Sequence, residues 1–249
     1  AVTGWDDPAE QDQILAEAYF LRALNYHNLV KYYGGVPLRL TPVTDPTKID
    51  PTPRSTVNEV YTQILADLAQ AITLLQNQTS PANHASLGAA HALRARVYLY
   101  QGNYAQALVE AQAVDGFGYS LAPRYADLFN RDDVDTPENI FKLTFTSNLS
   151  QANLLGYYWL SDALDTGAGR YEMAPSQDLI DAYDTTSVDT RFAWNIAPDP
   201  SGDGYVERVA YGTKFPTPGG AEDFHVIRYA EVLLIKAEAF ARGNNLDSA

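Results

Sequence analysis

Residues 86–114, SLGAAHALRARVYLYQGNYAQALVEAQAV, decide the fold. Apolar or small residues recur at Ala89, Ala92, Leu93, Val97 and Tyr100, the three-and-four spacing of a helix face, until Gly102-Asn103 interrupts it. A second helix is predicted from Tyr104, with Ala107, Leu108, Ala111 and Val114 on its inner face. Alanine at such positions lets two backbones approach closely, so the stretch reads as a helical hairpin closed by a tight turn. A lone hairpin leaves one apolar side open, and this one must therefore stack on other helices.

The hairpin resembles a tetratricopeptide repeat, with Ala95, Tyr98, Gly102, Tyr104 and Ala107 at the small, aromatic, turn, aromatic and small positions of that motif. Arg94 stands where the repeat has Leu, His91 where it has a large aromatic, and no proline closes the unit. Such departures point to a specialised helical scaffold rather than a regular peptide-binding array.

Upstream, residues 10–33 carry Ile14, Leu15, Ala18, Tyr19, Tyr26, Leu29, Val30 and Tyr33 on one predicted arc, ended by Gly34-Gly35. Arg22 and Asn25 fall within that arc and call for buried partners. Arg22 is either a ligand contact or half of a structural ion pair, and the pair is the preferred reading. A proline-rich crossing to Arg54 follows. Thr56 with Glu59 then makes a capping box for a helix ending near Gln76, predicted to pack antiparallel to the first.

After Val114 the texture changes to short aromatic runs broken by turns. Residues 139–145 alternate as a strand, with Ile140 and Lys142 on one side and Phe141 and Leu143 on the other. Ser176 caps a short helix, and 184–220 is a long irregular region of the kind that carries function on a scaffold. An apolar helix is predicted over Phe224–Arg242. The fold expected is mainly α: tetratricopeptide-like hairpins in a superhelical scaffold, with a loop-rich region containing a few short strands. It is expected as a single domain over 1–249, divided into paired helices (10–115), a loop-rich ligand-presenting region (116–222) and the first helix of a further, truncated repeat (223–249).

The chain has 249 residues, 46% of them hydrophobic, and no cysteine, which removes thiol nucleophiles and cysteine metal sites. Its net charge of -14 would repel a phosphate backbone, so nucleic acid is not an expected partner. There is no signal peptide and no apolar run of about 18 residues, and the chain reads as a segment of a longer protein.

Four segments, in order, resemble the SusD/RagB family of bacterial outer-membrane nutrient-binding lipoproteins. They are Glu17–Leu24 running on to Tyr33-Gly34-Gly35-Val36-Pro37-Leu38; Ala95–Tyr100; Glu138–Phe141 joined to Pro175-Ser176, Ala182-Tyr183-Asp184 and Asp189-Thr190-Arg191; and Ile227–Leu234 with Ala237-Glu238-Ala239. The resemblance spans about residues 17–242. It implies a surface-exposed protein of the outer membrane, held by an N-terminal lipid anchor absent from this chain, that binds oligosaccharide and delivers it to a SusC-like TonB-dependent transporter. It also makes Arg22, Arg228, Glu231 and Glu238 scaffold charges, with Glu231 and Glu238 sharing a helix face near Arg228.

A sugar offers C–H faces to flat aromatics and hydroxyls to polar side chains. The candidate ligand-binding residues are Trp5, Asn153, Tyr157, Tyr158, Trp159, Arg170, Tyr171 and Trp194, all outside the main helices; the competing reading is that these aromatics fill the space between loops and scaffold. Asp199-x-Ser201-x-Asp203-Gly204 starts like a calcium loop but has Ala210 where the closing acid belongs, so a solvated turn is preferred. No metal or cofactor is expected. H-E-x-x-H, G-x-S-x-G and phosphate-loop signatures are absent, so the chain is not expected to be an enzyme. The alternatives weighed are a glycan hydrolase and a tetratricopeptide adaptor for peptides.

Overall fold

The computed structural model describes residues 7–45, 47, 51–77, 79–129, 135–146, 153–161, 170, 172–183, 190–198, 210–216 and 222–243. The chain divides into two compact units, Ala1–Tyr119 with Ile227–Ala249, and Ser120–Val226.

The first unit is a stack of helices. Helix α1 (Pro8–Tyr33) starts at Asp7, whose Oδ1 accepts the Ala9 N–H at 2.9 Å, with Pro8 in the first turn, and ends at Gly34. Helix α2 (Val57–Leu75) has the expected capping box: the Thr56 N–H donates to Glu59 Oε2 at 2.7 Å and the Glu59 N–H to Thr56 Oγ1 at 3.3 Å. The hairpin consists of α3 (Leu87–Tyr100), capped by Ser86, and α4 (Tyr104–Val114), capped by Asn103. The last helix, α8 (Tyr229–Arg242), packs on α4 and α3.

The first two helices are antiparallel, as their ends show. Gly35, after α1, lies against Ser55, before α2; at the other end Gln13 donates to the carbonyl of Ala85 at 3.2 Å and accepts from Ser80 at 3.2 Å. Gly35 has to be glycine, because a Cβ there would lie 2.1 Å from the Ser55 carbonyl oxygen. Arg54 fastens the same corner by donating to the carbonyls of Gly35 and Tyr33.

The buried stripe of α1 differs from the predicted arc. It runs through Ala16, Phe20, Ala23, Leu24, Tyr26, His27 and Val30, whereas Ile14, Leu15, Leu29 and Tyr33 are exposed. The predicted arc passed over Phe20 and Leu24 together with the small residues Ala16 and Ala23, which bring the α1 backbone close to its neighbours. Tyr100 is likewise exposed rather than inner. Asn25 has no buried partner; it donates to the Leu21 carbonyl on the outside of the helix. Arg22 does have one. Its guanidinium grips Asp67 through Nε at 2.7 Å and Nη2 at 2.6 Å, and Asp67 also accepts from Gln63 at 2.8 Å.

Two further charged clusters cross-link the stack. Glu110 on α4 receives Arg94 and His91 from α3, each at 2.8 Å. Burial works to raise its pKa, but the bonds from His91 and Arg94 outweigh burial and hold the carboxyl below the usual carboxylate range. Glu231 on α8 accepts Arg96 Nε and Nη2, both at 2.5 Å, while Glu238 lies 3.6 Å from Arg242. Glu231 thus links α8 to α3.

The second unit holds the strands. β1 (Asn139–Leu143) and β4 (Phe224–Arg228) form one two-stranded sheet. Phe224–Arg228, predicted as the start of the last helix, is extended because Phe-His-Val-Ile suits a pleated pairing, and the helix begins only at Tyr229. Both faces of β1 are covered, since Asn139 to Lys142 are all buried. Lys142 is accommodated by Asp223 at 2.8 Å. Helices α5 (Leu155–Trp159), α6 (Gln177–Asp181) and α7 (Arg191–Asn195) each make about one turn. β2 (Ile196–Pro198) and β3 (Ala210–Gly212) pair antiparallel, with Ile196 opposite Gly212.

Candidate functional site

The site grows from α5. Asn153 sets its entry: Oδ1 accepts the Leu155 N–H at 2.7 Å and Nδ2 donates to the Glu222 carbonyl at 2.9 Å. This fixed start presents Tyr157, Tyr158 and Trp159 in succession, all half-buried. The Tyr157 and Tyr158 rings meet edge to face at 5.4 Å, and the Arg170 guanidinium lies 5.3 Å from the Tyr157 ring centre. The Arg170 N–H donates to the Tyr157 carbonyl at 2.8 Å, and that of Met173 to Tyr158 at 3.0 Å. Arg170 is 62% exposed and 3.7 Å from Glu172.

Trp159 rests on β3. At Gly212 an added Cβ would lie 2.5 Å from Trp159 Cε3, so the glycine exists to seat the indole. Gly212→Ala is therefore expected to displace Trp159 and cost about 1–3 kcal/mol in overpacking. A lowered Tm with an altered tryptophan emission maximum would show this, and unchanged emission would rule it out.

Immediately after β3, Lys214 and Phe215 join Trp159 as the lining of a pocket of about 160 Å³. Binding pockets for drug-sized ligands run to about 300–1,000 Å³, so this one suits a single ring or substituent of a larger ligand. Behind it stands an aromatic wall. Lys214 Nζ lies 4.6 Å from the Phe129 ring centre, and Phe129 meets Phe215, His225 and Tyr125 at 6.2, 5.6 and 5.1 Å. His225 is held by the Leu128 carbonyl, 2.6 Å from its Nε2.

Trp194, on α7, belongs to the support of this wall. Its carbonyl accepts the Thr213 hydroxyl, and the Asn195 carbonyl accepts the Thr213 N–H at 2.8 Å. Asn195 links Tyr125 and Tyr183 through its amide, at 3.2 and 3.1 Å. The indole N–H groups of Trp159 and Trp194 are buried and have no hydrogen-bond partner among the described residues.

Of the residues named from sequence, Tyr157, Tyr158, Trp159 and Arg170 are thus brought together around α5. Trp194 sits behind the wall, and both ends of the Asn153 side chain are engaged within the fold. Trp5, Tyr171 and the Asp199–Gly204 loop lie outside the described residues. Lys214 and Phe215 were missed. They follow a three-residue strand and match no motif, and only the Gly212 seat joins them to Trp159. Among the described residues there is no group of His, Asp and Glu suited to a metal ion, and no helix is long and apolar enough to cross a membrane.

Residues 4–99 match a SusD-like family model described as "Starch-binding associating with outer membrane". A SusD-like protein of Formosa agariphila, P2, is 29% identical over 94% of this chain and 53% of its own length. Among solved structures, a laminarin binding SusD-like protein is 26% identical with a TM-score of 0.76, over 96% of this chain and 63% of that one. A SusD superfamily protein from Bacteroides vulgatus aligns with a TM-score of 0.81 at 24% identity, over 97% of this chain and 57% of that one. The chain is similar to SusD-like proteins in sequence and in fold. It spans about half the length of the Formosa relative, and about three-fifths of the laminarin binding protein.

Proposed function

We propose that this chain is part of a cell-surface glycan-binding protein of the outer membrane, which holds oligosaccharide and passes it to a SusC-like TonB-dependent transporter. The observation that carries the reading is the Trp159–Phe215–Lys214 pocket, flanked along α5 by Tyr157 and Tyr158. Aromatic faces take the C–H surface of a pyranose, and an ammonium or guanidinium donates to its oxygens. The laminarin binding relative supports carbohydrate as the ligand. The reading is one of binding without turnover, which the laminarin binding relative supports.

Native affinity electrophoresis of the chain through gels containing a panel of polysaccharides tests this. Retardation with no release of reducing ends is expected. Release of reducing ends would favour a hydrolase, and migration unchanged on every glycan would remove carbohydrate as the ligand.

A further inference from the structure

We infer that the second unit staples itself covalently: Lys142 Nζ and Asp223 Cγ condense to an isopeptide bond with loss of one water, and Asp135 carries the proton. Both reacting side chains are buried, Lys142 at 9% exposed and Asp223 at 3%, and Nζ lies 2.8 Å from Oδ2. The sheet holds them there, since Lys142 is in β1 and Asp223 directly precedes β4, the strand paired with β1. Such positioning turns a slow bimolecular condensation into an intramolecular one. Oδ2 makes no regular hydrogen bond among the described residues, so its contact with the ammonium is ionic rather than directional.

Two neighbours supply the chemistry. The Phe145 N–H donates to Asp223 Oδ1 at 3.1 Å, where it stabilises the oxygen that becomes negative when the carboxyl carbon is attacked. Asp135 Oδ1 lies 3.6 Å from Nζ, is held by Asn139 Nδ2 at 3.0 Å and is 59% exposed. It takes one proton from the ammonium, and the neutral amine then forms the Nζ–Cγ bond. That proton and a second one from Nζ pass to Oδ2, the Cγ–Oδ2 bond breaks and water leaves beside the solvent-exposed Asp135. Asp135 ends as the carboxylate it was, and nothing is oxidised or reduced. One buried positive and one buried negative charge are replaced by a neutral amide, which removes the desolvation cost of the ion pair. The chain has no cysteine, so no disulfide can tie this unit together. The link would close a loop of about 80 residues that contains α5 and β3, restricting the unfolded chain as a disulfide does.

The test is the intact mass of the purified chain under denaturing conditions, which does not depend on any variant folding. Most molecules should weigh one water less than the sequence. Peptide mapping should join the segment containing Lys142 to the one containing Asp223. The join should survive hydroxylamine, which opens the succinimide that Asp115-Gly116 or Asp203-Gly204 would form with the same loss of mass. Lys142→Arg and Asp223→Ala should each restore the full mass. Asp135→Asn, with a far-UV spectrum like the parent's, should leave most molecules unlinked. The full sequence mass in the folded parent chain overturns the proposal, and so does a water loss that maps to any other pair of residues. Complete linkage in Asp135→Asn overturns the proton path.

Discussion

Asp67→Ala is expected to lower the unfolding free energy of the helical unit by about 1–3 kcal/mol, the cost of stripping a buried acceptor from its donors. Asp67 is 2% exposed and takes two bonds from Arg22 and one from Gln63, so its removal leaves a guanidinium pressed into the α1–α2 contact with no carboxylate. The bonds that Arg22 donates to Asp67 also raise the Arg22 pKa, although burial alone would lower it. The loss should be mostly recovered in Arg22→Met/Asp67→Leu, where both charges are gone and the volume is filled. Urea unfolding followed by far-UV circular dichroism reads both variants. A cost below about 1 kcal/mol for Asp67→Ala would mean that the pair does not organise the contact.

The second large effect is a pH dependence centred on His27. Its side chain is fully buried in the α1 stripe, edge-on to Tyr100 at 5.1 Å and tilted against Tyr61 at 6.4 Å, with neither ring nitrogen hydrogen-bonded among the described residues. Burial, with smaller contributions from the Lys31 and Arg96 charges, lowers its pKa from 6.5 to about 3. The unfolded chain thus takes up a proton as pH falls below 6.5, while the folded chain stays neutral until about 3. Stability is complete above pH 6.5 and declines below it, by about 2 kcal/mol between pH 7 and pH 5. Glu110 acts in a different window. Its depressed pKa stabilises the fold above the unfolded carboxylate value, and that contribution fades only in stronger acid. His27→Phe keeps a ring between Tyr100 and Tyr61 and should flatten the dependence between pH 7 and 5. An undiminished slope in that variant would assign it to other groups.

The α2 capping box and the hairpin turn could be read from the chain because each is a local arrangement in which side chain and backbone satisfy one another within four residues. The scaffold role of Arg22 was legible for a different reason, since a charge on a helix face that packs must find a partner. Which side of α1 turns inward was not legible. Ala16, Ala23 and His27 carry little hydrophobic signal, and their burial depends on how closely α2 and α3 approach. The β4 strand was hidden because its pairing partner, β1, lies more than 80 residues earlier. The same holds for the site. Tyr157-Tyr158-Trp159 stands out as an aromatic run in a loop-rich region, but Lys214 and Phe215 become part of it only through the Gly212 seat, a contact across more than 50 residues that no spacing announces.

Whether the α5 aromatics and the residues after β3 form a glycan seat is decided by Trp159→Ala. In affinity gels containing whichever polysaccharide retards the parent chain, the variant should migrate as it does in a gel without glycan, with its far-UV spectrum unchanged. A folded Trp159→Ala chain that is still fully retarded would mean that the glycan binds elsewhere.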